Sequence, residues 1–165
     1  MDQFEYAQYA ETHRRYKGGA NWFYWIAGLT IVTSLIAAFG GGWRFLLSLG
    51  TTQIIDAVAE GLSVELGSAP KVIALVLDLI VTGTFVVFGY LAGKKYLWAY
   101  IVGMVVFLFD GLVTLVIQDW ISVIAHGVVL FFMFPAFQAG RELLNLEKAM
   151  AEKPPETAPQ PEAAV

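Results

Sequence analysis

Four runs of apolar residues, each long enough to cross a lipid bilayer, leave this chain very few architectures. They are Trp22–Phe39, Val72–Ala92, Leu97–Ile117 and Ile121–Gly140, of 18, 21, 21 and 20 residues. About 20 residues at a rise of 1.5 Å cover roughly 30 Å of hydrocarbon. Backbone amides in hydrocarbon must find partners within their own segment, so each run reads as a helix. The expected fold is an all-α integral membrane four-helix bundle. Composition agrees: 58% of the residues are hydrophobic and 15% charged, both displaced from soluble-protein norms.

Aromatic and basic residues orient the spans. Trp22, Trp25 and Trp98 fall at one set of span ends and Trp43 and Trp120 at the other, as interfacial anchors do. With four spans, one side collects Arg14, Arg15, Lys17, Lys94, Lys95, Arg141, Lys148 and Lys153, the other only Arg44 and Lys71. Eight against two predicts that both termini are cytoplasmic. No cleavable leader is expected, because acidic and aromatic residues precede the first span and no small-residue cleavage site follows it.

Several function classes drop out. A net charge of −4 supplies no basic face for nucleic acid. The chain has no cysteine, which removes disulfides, thiol catalysis and cysteine-held zinc or iron–sulfur clusters. No phosphate loop, dinucleotide fingerprint or GxSxG elbow is present, and no cofactor is expected. The expected partners are the lipid bilayer and either another membrane protein or a second copy of the chain.

The connecting pieces have their own patterns. Asp2 and Glu5 form a capping box, and Tyr6, Tyr9, His13 and Tyr16 share one helical face. Residues 1–20 thus read either as an amphipathic helix on the inner leaflet or as a partly ordered tail. The connection from Gly40 to Lys71 is too long for a bare loop. Within it Leu47, Ile54, Ile55, Val58 and Leu62 share one face and Thr52, Asp56, Glu60 and Ser63 the other. This predicts an amphipathic helix over about 44–63, resting on the outer end of the bundle with its acidic side away from it. Residues 152–165, rich in proline and glutamate, should be a disordered tail.

The chemistry concentrates in three ionisable residues placed inside spans. Counted inward from the outer ends, Asp78, Asp110 and His126 lie about 9, 10 and 8 Å deep. Thr33 and Ser34 occupy the matching level of the first span. Asp78 and Asp110 each have a threonine four residues on, Thr82 and Thr114, whose hydroxyls can donate to the carboxylates. Intramembrane charges face bundle interiors, which predicts one shared polar layer. That layer reads in three ways: a structural hydrogen-bond network, a proton or cation relay, or a metal site with Asp78, Asp110 and His126 as ligands. The relay reading has an outer entrance but an aromatic barrier of Phe85, Phe88, Phe107, Phe131 and Phe132 below it. The metal reading lacks any ligand-spacing motif.

The run VGMVVFLFDGLVTLVIQDWISVIAH, from Val102 to His126, resembles a pattern of small four-helix bacterial inner-membrane proteins of uncharacterised role. ANWFYWIAG (20–28) and TQIIDA (52–57) resemble segments of the same proteins. The resemblance implies a bacterial inner membrane and four helices, and carries no activity. The reading reached from the residues is an accessory or interaction subunit without catalysis of its own. A small proton- or cation-coupled transporter or sensor is the alternative, and a membrane metalloenzyme the third.

Overall fold

The computed structural model describes residues 3–38 and 49–152. Five helices occupy them: α1 (Gln3–Ala38), α2 (Gly50–Leu66), α3 (Ala69–Gly93), α4 (Leu97–Val116) and α5 (Trp120–Glu152). Helices α1, α3, α4 and α5 are each long and apolar enough to cross a membrane. They form a ring in which α1 and α4 stand diagonally, each flanked by α3 and α5. Neighbours run antiparallel. Tyr16 of α1 reaches Ala92 of α3, whereas Ser34 lies beside Asp78. Here the near end is where α1 starts and α3 turns into α4; the far end is where α2 turns into α3.

Burial in this bundle is inverted relative to a soluble protein. Alanines 20, 27, 74, 92, 99, 136 and 139 are buried, while Val76, Ile80, Val105, Leu108, Phe109, Ile124 and Phe131 point outward. Small residues let helices approach closely where dispersion, rather than water exclusion, holds them together. So continuous an apolar exterior suits acyl chains and not water. The interior large side chains form one aromatic column. Phe23 meets Tyr100 edge-on at 5.5 Å, and Phe85 meets Phe107 at 6.2 Å. The buried hydroxyls of Tyr16 and Tyr100 donate to the Ala92 and Met133 carbonyls at 2.6 and 3.1 Å. Of the expected aromatic barrier, Phe85 and Phe107 are buried, whereas Phe131 and Phe132 face outward.

Two turns of the ring share one geometry. After α3, Lys95 N–H bonds the Ala92 carbonyl and Tyr96 N–H the Leu91 carbonyl; after α4, Gln118 and Asp119 repeat this with Leu115 and Thr114. This is the paired 5→2 and 6→1 closure that ends helices through a left-handed residue. The left-handed residues are Lys95 (φ 67°) and Gln118 (φ 59°), neither a glycine.

Three features depart from the sequence expectations. First, residues 3–20 are neither a leaflet helix nor a loose tail. They continue the first span as a single 36-residue helix. Tyr9 donates to Glu147 at 2.9 Å, so this stretch packs on the similarly extended end of α5.

Second, α2 does not rest on the bundle with its apolar face down. Its buried residues are Gly50, Thr52, Gln53 and Ala59, whereas Ile54, Val58 and Leu62 are exposed. The helix lies lengthwise against α3 with its start sunk to the level of Asp110, about 9 Å from the end of α4. A helix set into the lipid-facing side turns its polar side inward, because that is where its hydroxyl, amide and carboxyl groups find polar neighbours. Gly67 (φ 69°) and Pro70 make the tight turn into α3, and Lys71 closes it on Glu60 at 2.6 Å.

Third, the hydroxyls of Thr33 and Thr114 turn back to their own helices, bonding the Leu29 and Gly111 carbonyls at 3.0 and 2.7 Å. Thr114 therefore does not donate to Asp110. Leu47, Trp43, Arg44 and the proline-rich tail lie outside the described residues.

Candidate functional site

Asp110 sits one and a half turns before the end of α4, and its carboxylate meets the first residues of α2. Oδ2 accepts the Gly50 N–H at 2.6 Å; Oδ1 accepts the Thr51 N–H at 2.9 Å and the Thr51 hydroxyl at 2.6 Å. A helix start leaves its first amides without intrahelical partners and carries a partial positive charge. The residue before α2, Leu49, offers no side-chain acceptor. Asp110 supplies one from another helix.

His126 of α5 completes the arrangement. Its Nε2 lies 3.0 Å from Asp110 Oδ2 and its Nδ1 2.7 Å from the Ser122 carbonyl. Both ring nitrogens therefore face oxygen atoms of the protein. Phe107 stacks on the ring with centroids 4.4 Å apart. The carboxylate thus receives four hydrogen bonds, about the number of its lone-pair directions.

The network extends to the α4–α5 turn. Asp119 caps α5, accepting the Ser122 N–H at 3.2 Å and the Ser122 hydroxyl at 2.6 Å. Gln53 of α2 donates to the Ser122 hydroxyl oxygen at 3.4 Å. Partial burial would raise the Asp119 carboxyl, but the bonds from Ser122 outweigh it and hold the group below the usual carboxylate range. A closed circuit therefore ties α2, α4 and α5 together.

Asp78 belongs elsewhere. It is 1% exposed on α3 and its carboxyl faces Ser34 of α1 and Asp56 of α2. One turn further, Thr82 of α3 and Thr30 of α1 stand at the same positions on their helices, four residues from Asp78 and Ser34. All four are buried, and neither Asp78 oxygen, nor the Ser34, Thr30 or Thr82 hydroxyl, has a hydrogen-bond partner in the protein.

The expected single layer is thus two sites. Asp110 and His126 meet; Asp78, Ser34 and Thr82 gather separately; Thr33 and Thr114 join neither. The ligand set of Asp78, Asp110 and His126 is not assembled, and no group of three His, Asp or Glu among the described residues is placed to hold a metal ion. The reason is α2: its buried start interposes Gly50 and Thr51 as partners for Asp110, and Asp56 as the neighbour of Asp78. Sequence reasoning missed Gly50, Thr51, Asp56, Asp119 and Ser122. The DWIS run (119–122) carries a legible signal, an N-cap aspartate with serine at the third helical position.

Two further features stand outside the polar sites. At the near end, Lys95 pairs with Glu147, which raises the ammonium above the ordinary lysine range. Along the exterior, α2 and α3 enclose a groove of about 350 Å³ lined by Ile54, Val58, Leu62, Leu66, Ile73 and Leu77, among others. Its walls are aliphatic. Comparison with family models, curated proteins and solved structures finds no match for this chain.

Proposed function

We propose that this chain is a non-catalytic accessory subunit of a bacterial inner membrane, binding a membrane-protein partner through the exposed side of α2 and its groove with α3. The carrying observation is that the Asp110–His126 pair is consumed by the fold. Three of the four carboxylate bonds hold the start of α2, and the fourth and both ring nitrogens are engaged within α4 and α5, which leaves neither group a free position for a substrate or a travelling proton. The most reactive-looking pair in the chain reads as a clamp for a lipid-facing helix.

The presented surface supports binding. Ile54, Val58 and Leu62 stand outward beside an aliphatic groove, at a place where a partner's transmembrane helix could insert a large side chain. Orientation with the near end in the cytoplasm is supported by Arg14, Arg15, Lys17, Lys94, Lys95, Arg141 and Lys148 on that side. A photo-crosslinking residue at Val58, in cells, should yield a discrete protein adduct that the same residue at Leu108 of α4 does not. The proposal fails if both positions give lipid adducts alone.

The second reading, an ion-coupled transporter or sensor, is favoured by one observation, the buried unpartnered oxygens around Asp78. It rests on Asp78 and not on His126. Reconstituted protein would then show a cation or proton flux that Asp78→Asn abolishes and Asp110→Asn spares wherever the bundle folds.

A further inference from the structure

We propose that the outward face of α1 at the near end seats one anionic phospholipid, with its phosphate on Arg14 and Arg15 and an acyl chain along Trp22, Trp25 and Leu29. This goes beyond the accessory role and does not depend on it.

Shape is the first observation. A concavity of about 420 Å³ is lined by Gly18, Asn21, Trp22, Trp25 and Leu29. These residues recur at three- and four-residue steps, so they share one stripe of the helix. Arg14 and Arg15 stand one turn above Gly18 on the same side, both exposed. From Arg14 to Leu29, roughly 22 Å by helical rise, the stripe passes from guanidinium through the exposed Asn21 amide to indole and aliphatic side chains. A phospholipid presents phosphate, ester and hydrocarbon in the same order.

The walls are fixed, and the floor is open for no internal reason. Trp22 stacks on Phe132 of α5 with ring centroids 6.0 Å apart, and Trp25 stands 65% exposed on the other side. A Cβ at Gly19 would run into Ala136 and the Tyr100 hydroxyl, so that glycine is required by the contact with α5. A Cβ at Gly18 would meet nothing within 4 Å. Glycine inside a helix costs about 1 kcal/mol against alanine. What Gly18 provides is room on the outside.

Charge names the occupant. Arg14, Arg15 and Lys17 fall within one turn of helix, and only Arg14 has an acid, Glu11, in an ion pair whose side chains are 79 and 52% exposed. So exposed a pair holds weakly and leaves the guanidinium able to turn to phosphate, whose oxygens its forked donors match. Arg15 and Lys17 form no ion pair among the described residues. Because Tyr16 meets Ala92, the two arginines stand near the level of the α3–α4 turn, beside the exposed Tyr90, Tyr96 and Trp98 that mark a membrane interface. Surplus positive charge at that level favours an anionic headgroup over a zwitterionic one. A water-soluble anion would use the arginines and leave the indole-walled part of the concavity unfilled.

The test is native mass spectrometry of the full chain released from detergent micelles that hold graded amounts of phosphatidylglycerol or phosphatidylcholine. Each chain should retain one phosphatidylglycerol at concentrations where phosphatidylcholine is not retained. Arg14→Gln with Arg15→Gln should weaken retention about 25-fold, about fivefold for each charge. Gly18→Leu fills the concavity from outside and should weaken retention several-fold at an unchanged melting temperature; should it not fold, Trp25→Ala decides in its place. Lys94→Gln with Lys148→Gln removes equal charge elsewhere at the near end and should leave retention within twofold. Equal retention of the two lipids overturns the proposal, as does a loss in the lysine variant as large as in the arginine one, which would show diffuse attraction without a seat. Retention that Gly18→Leu leaves unchanged overturns it, and so does a lipid-free dimer that Gly18→Leu disrupts, which would give this face to a second copy of the chain.

Discussion

Asp110 accepts the backbone N–H of Gly50 at 2.6 Å across 60 residues of sequence. The carboxylate of one spanning helix thereby caps the start of a shorter helix that enters the bundle from its side. Caps are usually local, supplied by the residue preceding the helix. A distant cap makes the position of α2 conditional on the α4–α5 hairpin, which carries both Asp110 and His126.

Asp110→Ala should therefore do more than remove a cap. It leaves two α2 amides and the His126 ring without their acceptor. A lost cap costs about 1 kcal/mol and each buried donor left without its acceptor about 1–3 kcal/mol, so the unpaired donors dominate. Unfolding titrations of Asp110→Ala, His126→Ala and the double variant should give strongly non-additive losses, with the double variant little worse than Asp110→Ala. Additive losses would mean the two side chains act separately.

Gly50 is required by close approach. A Cβ there would stand 2.5 Å from Thr114 Cγ2 and 3.0 Å from the Asp110 carbonyl oxygen, and the latter is backbone that cannot turn aside. Gly50→Ala should lift the start of α2 off α4 and destabilise by about 1–3 kcal/mol, the usual range for overpacking. Hydrogen exchange at Thr51 and Thr52 should rise with it, while α5 amides near Met133 stay protected. Unchanged exchange at the start of α2 would contradict this packing.

Asp119 offers a pH signature outside the spans. Its folded carboxyl lies below the ordinary carboxylate range, so the unfolded state binds its proton more readily. The stabilisation is then present above the unfolded pKa, about 3.9, and is lost as pH falls through the lower folded value. Asp119→Asn should flatten this acid limb while keeping most of the cap, and Asp119→Ala should cost about 1 kcal/mol at neutral pH. An acid limb of equal steepness in Asp119→Asn would assign it to another group.

Gln118 takes a left-handed conformation, φ 59°, with an exposed side chain. Such backbone costs a non-glycine residue about 1–2 kcal/mol, of which the greater flexibility of unfolded glycine takes back part. Gln118→Gly should stabilise by about 0.5–1 kcal/mol in the same titrations. A loss of stability would show that the Gln118 side chain supports the turn in a way its exposure does not suggest.

Legibility followed the range of the physics involved. Each apolar run carries its own requirement for internal hydrogen bonding, which is why the four long helices can be read directly from Trp22, Val72, Leu97 and Ile121 onward. The level of Asp110 and His126 follows likewise from helical rise, and the two do meet. The placement of α2 could not be read this way. Its amphipathic pattern separates Ile54, Val58 and Leu62 from Thr52 and Asp56 but does not say which set faces the bundle, because in a membrane the solvent is also apolar. Water would have chosen the apolar face for burial; lipid leaves the choice to the polar groups available inside.

The letters of this chain by themselves determined an all-helical molecule with four apolar helices of spanning length and acids buried within two of them. Only the tertiary structure decided which groups those acids meet: Gly50, Thr51 and His126 for Asp110, Ser34 and Asp56 for Asp78. The cause is that helix formation is settled within each segment, whereas partner choice depended on how far α2, a helix too short to cross, sinks between its neighbours.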